Sequence, residues 1–354
     1  TEPADADLLA FLDADTVLDP ADPIGWLVAI AAHFHDERVG LVAPRVQAAP
    51  PVPGRGAAAA LGRYEGQESP LDLGPEPGRA GAGRRLSYVP AAAIVVRRRA
   101  LAEVGWFDED LRFGEDVDLV RRLDRAGWTV RYEPSVIVLH DSRGSWRAFA
   151  RQRAGYGSSA AELHARHPGT VPPFAAPPLP AFAASAAAVA AVAGVSGRSR
   201  SASAAASAAV AATLVASARL RKAMARVGAE RPLGPAVRVA AASTAGALVG
   251  LLSALRRGWW PALLPLAGAR RARRGTLALL GASTVAGHLR PAIAAAVGEG
   301  GAGERARRVA VHLAIGVLDD AAYTAGVWQG CWRRRSLGAL APSVRRRRRL
   351  PRGR

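Results

Sequence analysis

Two rhythms of apolar and polar positions divide this chain near residue 172. Before it, short apolar runs of strand length alternate with segments whose apolar residues recur at helical spacing. Leu8 to Leu12 is one such run, ending abruptly in Asp13, Ala14 and Asp15, the pattern of a buried parallel strand. "DPIGWLVAIAAHF" follows, with Asp22 as a cap, Pro23 in the first turn and apolar residues at helical spacing. "VGLVAPRV" and "LSYVPAAAIVVRR" read as further strands, "RALAEVG" as a short helix and "EDVDLVRRLDRAGW" as an amphipathic helix ending at Gly127. "TVRYEPSVIVLH" is a last extended segment, and the Pro- and Gly-rich residues 50–85 predict a long loop with at most one short helix. Strand–helix alternation of this kind predicts an α/β domain with a mostly parallel sheet over residues 1–170.

The second rhythm begins after a proline-rich joint, "VPPFAAPPLP", at residues 171–180. Six Ala-rich apolar stretches follow, at 180–196, 203–218, 236–255, 259–268, 276–297 and 309–330. Several approach the length of a membrane-crossing helix, so an all-α, membrane-spanning region is expected over 181–330. A soluble Ala-rich bundle is the alternative. Charge separates the two. If each stretch crosses, the loops on the side of the first half are 219–235, 269–275 and the tail from 331, carrying five, four and ten basic residues. The opposite loops, 197–202, 256–258 and 298–308, carry two, two and three. That asymmetry predicts a multi-pass protein of the cell membrane with its first half on the cytoplasmic side. The basic tail 331–354 would then lie against anionic lipid.

Composition narrows the partners. Lys and Arg number 48 against 29 Asp and Glu in 354 residues, a formal net charge of +19, and Lys222 is the only lysine. Such a charge suits polyanions, but the basic clusters carry no interleaved aromatics and match no nucleic-acid-binding motif, so no nucleic acid is expected. One cysteine, Cys331, excludes an internal disulfide and any cysteine-based zinc cluster.

The candidate chemistry lies in two acidic clusters. Side chains alternate along an extended strand, so Asp13 and Asp15 face the same side at the end of a strand, where open α/β sheets bind their ligands. Hard divalent cations are held by such carboxylates together with substrate phosphates. A solvated acidic turn is the commoner meaning of the same D-x-D. Glu115 and Asp116 open a helix in "FGEDVDLVRRL", either as simple N-terminal capping or as a base for an acceptor hydroxyl. Asp118, further along, is expected to make a local polar contact. His140 ends "VIVLH" at another strand tip, structural or a further metal ligand.

"FLDADT" and "VGWFDEDLRFGEDVDLVRRLDRAGWTVRYEPSVIVLH" together resemble the inverting family 2 glycosyltransferases of GT-A fold, over roughly residues 5–170. The strings "RYEGQESPLDLGPEPGRAGAGRRLSYVPAAAIVVRR" and "WRAFARQRAGYGSSAAELHARHPG" are similar to the mycofactocin branch of that family. The resemblance implies that Asp13 and Asp15 bind a metal and the donor diphosphate, with Asp15 the direct ligand and His140 facing them. The metal implied is Mg²⁺ or Mn²⁺. It makes Asp116 the catalytic base, supported by Glu115. Arg151, Gln152 and Arg153 would lie near the donor diphosphate, a basic membrane-facing surface being the alternative. It implies an inverting transfer of a hexose, glucose, from UDP-glucose to premycofactocin or mycofactocin, building a β-linked oligosaccharide. The alternatives are an inactive remnant that binds an acceptor or partner, and a different family 2 transferase acting on cell-envelope glycans.

Two departures from the family pattern are visible. Trp106 stands where many members have a second glycine, so the turn before the acidic cluster is expected to pack differently. Members also carry a βαβ nucleotide-binding region and a "P-x-Y/F-N"-like strand before the D-x-D. Here the D-x-D comes at residue 13, so the resemblance implies a chain lacking that N-terminal part.

Overall fold

The computed structural model describes residues 6–18, 24–54, 56–170, 172–297 and 301–344. It forms two compact units: Thr1–Val171 with Pro291–Ser336, and Pro172–Arg290 with Leu337–Arg354. In the first, strands β1 (Leu8–Leu12) and β2 (Thr16–Val17) precede α1 (Gly25–Ala31), which continues into a 3₁₀ turn, Ala32–His35. Asp22 and Pro23, expected to cap that helix, lie outside the described residues. β3 (Val39–Ala48), α2 (Ala57–Glu68), β4 (Gly78–Ala80) and β5 (Ala93–Arg97) come next. Then come α3 (Arg98–Val104), α4 (Glu115–Ala126), β6 (Thr129–His140) and α5 (Trp146–Arg166).

The expected α/β class holds, with one correction: the sheet is mixed rather than mostly parallel. Its order is β1-β5-β3-β6-β2, with β4 also on β6. The long β3–β6 ladder is parallel, while β1–β5, β3–β5, β2–β6 and β4–β6 are antiparallel. The reason is the connection over residues 49–92. Ala49 N–H donates to His140 O as the chain leaves β3, and Ala92 O accepts from Asp13 as it enters β5. The connection therefore leaves and returns at the same end of the sheet, which reverses β5 against β3; a parallel neighbour needs a crossover.

Alternation along the strands feeds two apolar layers. Leu41, Ile94, Val96, Val130 and Tyr132 face Leu101, Leu119, Val120 and Leu123 of α3 and α4. Val42, Val46, Val95 and Val138 face Trp26, Ile30 and Phe34. Each such buried Leu, Ile or Phe contributes roughly 1.5–3 kcal/mol relative to exposure. α4 ends at Gly127, whose left-handed φ of 91° lets Trp128 N–H bond back to Leu123 O. Trp106 has a φ of 62°, a left-handed turn that suits glycine; a bulky residue there is strained.

β7 (Ala175–Ala176), α6 (Pro178–Val195), α7 (Ser199–Arg226) and α8 (Leu233–Ala254) open the second unit, followed by a π-helical turn, Leu255–Trp259, and α9 (Trp260–Gly268). α10 (Arg270–Ala296) crosses the boundary between the units at Pro291. α11 (Ala302–Arg334) belongs to the first unit, and β8 (Ser343–Val344) pairs with β7 in the second. Among the described residues, three helical segments are long and apolar enough to cross a membrane: Pro178–Val195, Ser199–Arg226 and Leu233–Gly268. The last runs unbroken through Arg256 and Arg257, so the expected loop at 256–258 is a helical turn. The π turn absorbs the polar interruption without ending the helix.

The stretch 309–330 lies inside α11, which packs on α2 and α5 and buries His312, Asp319, Asp320 and Thr324. Helix α5, which no periodicity in the sequence announces, is capped by Ser145, whose Oγ accepts from Ala148 N–H. The tail residues 345–354 lie outside the described residues.

Candidate active site

β1 carries the chain to one end of the sheet, and the Asp13–Ala14–Asp15 turn is pinned there. Asp13 N–H donates to Ala92 O at 3.0 Å, Thr16 N–H to Asp13 O at 3.0 Å, and Thr16 Oγ1 to Ala92 O at 2.8 Å. β2 then pairs Thr16 with His140. The register that adds this edge strand therefore also brings the imidazole at the tip of β6 to the two carboxylates. His140 Nε2 lies 3.0 Å from Asp15 Oδ1 and 3.8 Å from Asp13 Oδ2. One ligand atom from each of the three residues falls within 4.8 Å of the others. Burial of the ring would by itself lower the His140 pKa, but the Asp13 and Asp15 carboxylates outweigh it and hold the imidazole above its ordinary value.

Two carboxylates and an imidazole this close form a donor set that fits a divalent cation. Oxygen-only Mg²⁺ sites are common, whereas the nitrogen ligand is well suited to Mn²⁺ or a later metal. The second oxygen of Asp15 is held by Arg143, whose Nη1 lies 3.1 Å from Oδ2. With the Gln152 amide oxygen turned toward its donors, it accepts from Arg143 Nε and Nη2 at 3.2 Å and from the Tyr156 hydroxyl at 3.0 Å. Gln152 is thus linked to the acidic turn through Arg143.

The second acidic cluster opens α4. Gly114 precedes it with a left-handed φ of 81°, and a β-carbon there would fall 2.9 Å from Leu163 and 3.0 Å from Ser159. No side chain caps the helix, and Glu115, Asp116 and Asp118 place three carboxylates in its first turn, where the helix dipole favours negative charge. Asp116 Oδ1 accepts from Val117 N–H at 2.7 Å. Burial, and then the Glu115 charge, push the Asp116 carboxyl up to about 7. Glu115 is raised as well, by burial first and also by Asp13, which ties the two acidic clusters into one electrostatic site. Its Oε2 is buried without a hydrogen-bond partner among the described residues. Asp118 makes the local polar contact expected of it: buried, it pairs with His167 at 2.8 Å and Arg122 at 2.7 Å.

The structure separates the three members of the Arg151–Gln152–Arg153 segment. Gln152 faces Arg143, as above. Arg153 is buried, with Nη2 2.8 Å from Glu65 Oε1 and Nε 3.4 Å from Asp319 Oδ2, its guanidinium lying over Phe149 at 4.6 Å. Arg151 lines a different cavity, beside Phe113. Arg143 and Tyr156 went unnoticed in the sequence. The only signal for Arg143 was its place three residues beyond a strand-ending histidine.

The family model "Glycosyl transferase family group 2" matches residues 8–217. The pre-mycofactocin glycosyltransferases of two Mycobacterium tuberculosis strains, CDC 1551 / Oshkosh and ATCC 25618 / H37Rv, are each 36% identical over 350 residues, covering 96% of this chain and 67% of theirs. The N-acetylglucosaminyl-diphospho-decaprenol L-rhamnosyltransferase of strain CDC 1551 / Oshkosh is 45% identical over 58 residues, 16% of this chain and 19% of that protein.

Proposed function

The chain belongs to glycosyl transferase family group 2, and from that premise we propose that it moves glucose from UDP-glucose to a premycofactocin-type acceptor with inversion, forming β-linkages. The observation that carries the proposal is the meeting of Asp13, Asp15 and His140 with Glu115 and Asp116 at one end of the sheet. Similarity to the pre-mycofactocin enzymes over nearly the whole chain supports the acceptor class.

Asp116 is the base. A carboxyl poised near neutrality removes the acceptor's hydroxyl proton as that oxygen attacks the anomeric carbon. The bond to the diphosphate oxygen breaks on the opposite face, which inverts the centre. Burial, and then the Glu115 charge, hold Asp116 in this range. Asp13, Asp15 and His140 would hold a divalent cation, whose role is to neutralise charge on the departing diphosphate. Arg143 and Gln152 orient Asp15.

Three helices long and apolar enough to cross a membrane support attachment to the cell membrane. If α6 and α7 both cross, the five basic residues of 219–235 fall on the same side as the transferase part, which supports a cytoplasmic site. The 58-residue similarity to a rhamnosyltransferase favours one second reading, transfer to a cell-envelope acceptor. The test is to incubate the full chain with UDP-glucose, Mn²⁺ and premycofactocin and weigh the product. An acceptor heavier by hexose units supports the proposal. Transfer only to a prenyl-diphosphate sugar favours the second reading, and no transfer from any nucleotide sugar overturns both.

A further inference from the structure

A second concavity opens in the transferase unit, lined in part by Phe113, whose ring also meets Tyr156. Its volume is about 780 Å³, room for a phosphate group with a sizeable organic substituent. The loop before α4, α5 and the end of α11 build its wall, and each supplies arginine: Arg112, Arg151 and Arg166, Arg333 and Arg334. Only Asp110 and Glu162 oppose them in the lining.

Those charges are not all matched internally. Arg166 pairs with Asp108 and with Glu162, the latter at 2.8 Å, and Arg334 also pairs with Glu162. Arg112, Arg151 and Arg333 have no carboxylate partner among the described residues and are exposed; Arg112 lies only over the Phe113 ring, at 5.9 Å. Three guanidinium groups from three separate elements line this one concavity, a surplus of positive charge that suits an anion. Their planar forks match phosphate oxygens in pairs.

We propose that this cavity binds a phosphate group, carried either by a lipid headgroup or by a soluble phosphorylated ligand, at a site separate from Asp13, Asp15 and His140. Phe113 forms the shared wall: its ring meets Tyr156 edge-on at 6.0 Å and it sits two residues before Glu115. A ligand seated against Arg112 and Phe113 therefore borders the carboxylates without entering the acidic cluster. The proposal does not depend on the sugar donor or the acceptor suggested above.

The test uses the full chain in neutral detergent with EDTA, so that no metal-bound phosphate at the acidic cluster contributes. One arm titrates inorganic pyrophosphate; the other compares mixed micelles carrying phosphatidylglycerol with micelles carrying phosphatidylcholine. The comparison protein is the Arg112→Gln, Arg333→Gln double variant, which keeps Arg151 and every residue of the acidic cluster. A loss of tenfold or more in affinity in the pyrophosphate arm assigns a soluble phosphate ligand. The same loss confined to the phosphatidylglycerol arm assigns a lipid headgroup, and a loss in both shows a site that reads the phosphate alone. Equal binding by the two proteins in both arms, or no binding by either, overturns the proposal. Mn²⁺-dependent UDP binding, measured on separate EDTA-free samples of both proteins, shows that the variant is folded and that the acidic cluster stands or falls separately.

Discussion

His140 Nε2 lies 3.0 Å from Asp15 Oδ1, joining the tip of β6 to a turn formed near the other end of the transferase sequence. The contact exists because β2 pairs Thr16 with His140, so the geometry of the proposed metal site and the pairing of this edge strand are one structural event. Asp15→Ala and His140→Ala should each weaken Mn²⁺ affinity by more than tenfold. Arg143→Gln, which loosens only the orientation of Asp15, should cost about tenfold, in keeping with the usual effect of removing a supporting partner. Isothermal titration with Mn²⁺ checks all three; equal affinities would remove the cluster from metal binding.

Asp116→Asn should lower transfer by roughly 10²–10⁴-fold while leaving UDP binding within a factor of two, since it removes a base and no donor contact. In the wild type the rate should rise with pH and level off above about 7, the value to which burial and Glu115 push this carboxyl. Single-turnover rates between pH 5.5 and 8.5 would show whether that rise is present.

The same carboxyl makes a prediction about stability. Its folded pKa is raised, so above the ordinary Asp value and up to about 7 the folded chain keeps a proton that the unfolded chain has released. Its contribution therefore falls as pH rises through that window. Asp116→Asn removes the penalty, and its melting temperature should gain on the wild type from pH 5 to pH 8. A constant difference across that range would contradict the assigned burial.

Asp118 is buried between His167 and Arg122. Burial lowers the His167 pKa even against the Asp118 carboxylate. Asp118→Ala would leave two polar partners without their acceptor, a change that costs about 3–5 kcal/mol when a buried pair is broken. Thermal unfolding should show a clear drop, with Mn²⁺ affinity unchanged in the protein that remains folded.

Helices α5 and α11 meet backbone to backbone. A β-carbon on Gly326 would lie 1.9 Å from Ala154 O, and one on Gly157 would lie 2.0 Å from Tyr323 O. Gly326→Ala must push the helices apart and should cost about 1–3 kcal/mol, as overpacking does. Gly303→Ala, at a position with open space around it, should be neutral in the same melting experiment.

Much of this site was legible because its carboxylates and histidine sit where apolar runs stop, and the end of a run is a feature of the sequence itself. Asp13, Asp15 and His140 were visible in that way, whereas Glu115 and Asp116 showed as the acidic opening of an amphipathic helix. Arg143 was not, because its role depends on β2 joining β6, a pairing of two-residue length that no periodicity announces. Strand direction was hidden as well, since alternation records that helices separate strands and says nothing of which end a connection returns to. The apolar stretch 309–330 resembled the others in composition. Asp319 and Asp320 within it mark a helix that buries polar groups against protein, with Asp319 Oδ2 accepting from the Tyr64 hydroxyl at 2.9 Å. Arg153, singled out for phosphate, is held in that same interior group, where it offsets Glu65 and Asp319.

The return of α11 to the transferase unit bears on how the protein is made. Synthesis delivers residues 1–170 first, then more than a hundred residues of the other unit, and only afterwards the helix that supplies Asp319 to Arg153 and Tyr64. Until then a buried arginine lacks one of its two carboxylates and the glycine face of α5 is bare. The transferase unit stays half assembled while the intervening helices are made. A chain cut after residue 170 would reproduce that waiting state permanently, keeping every proposed catalytic side chain yet lacking the helix that packs against α2 and α5.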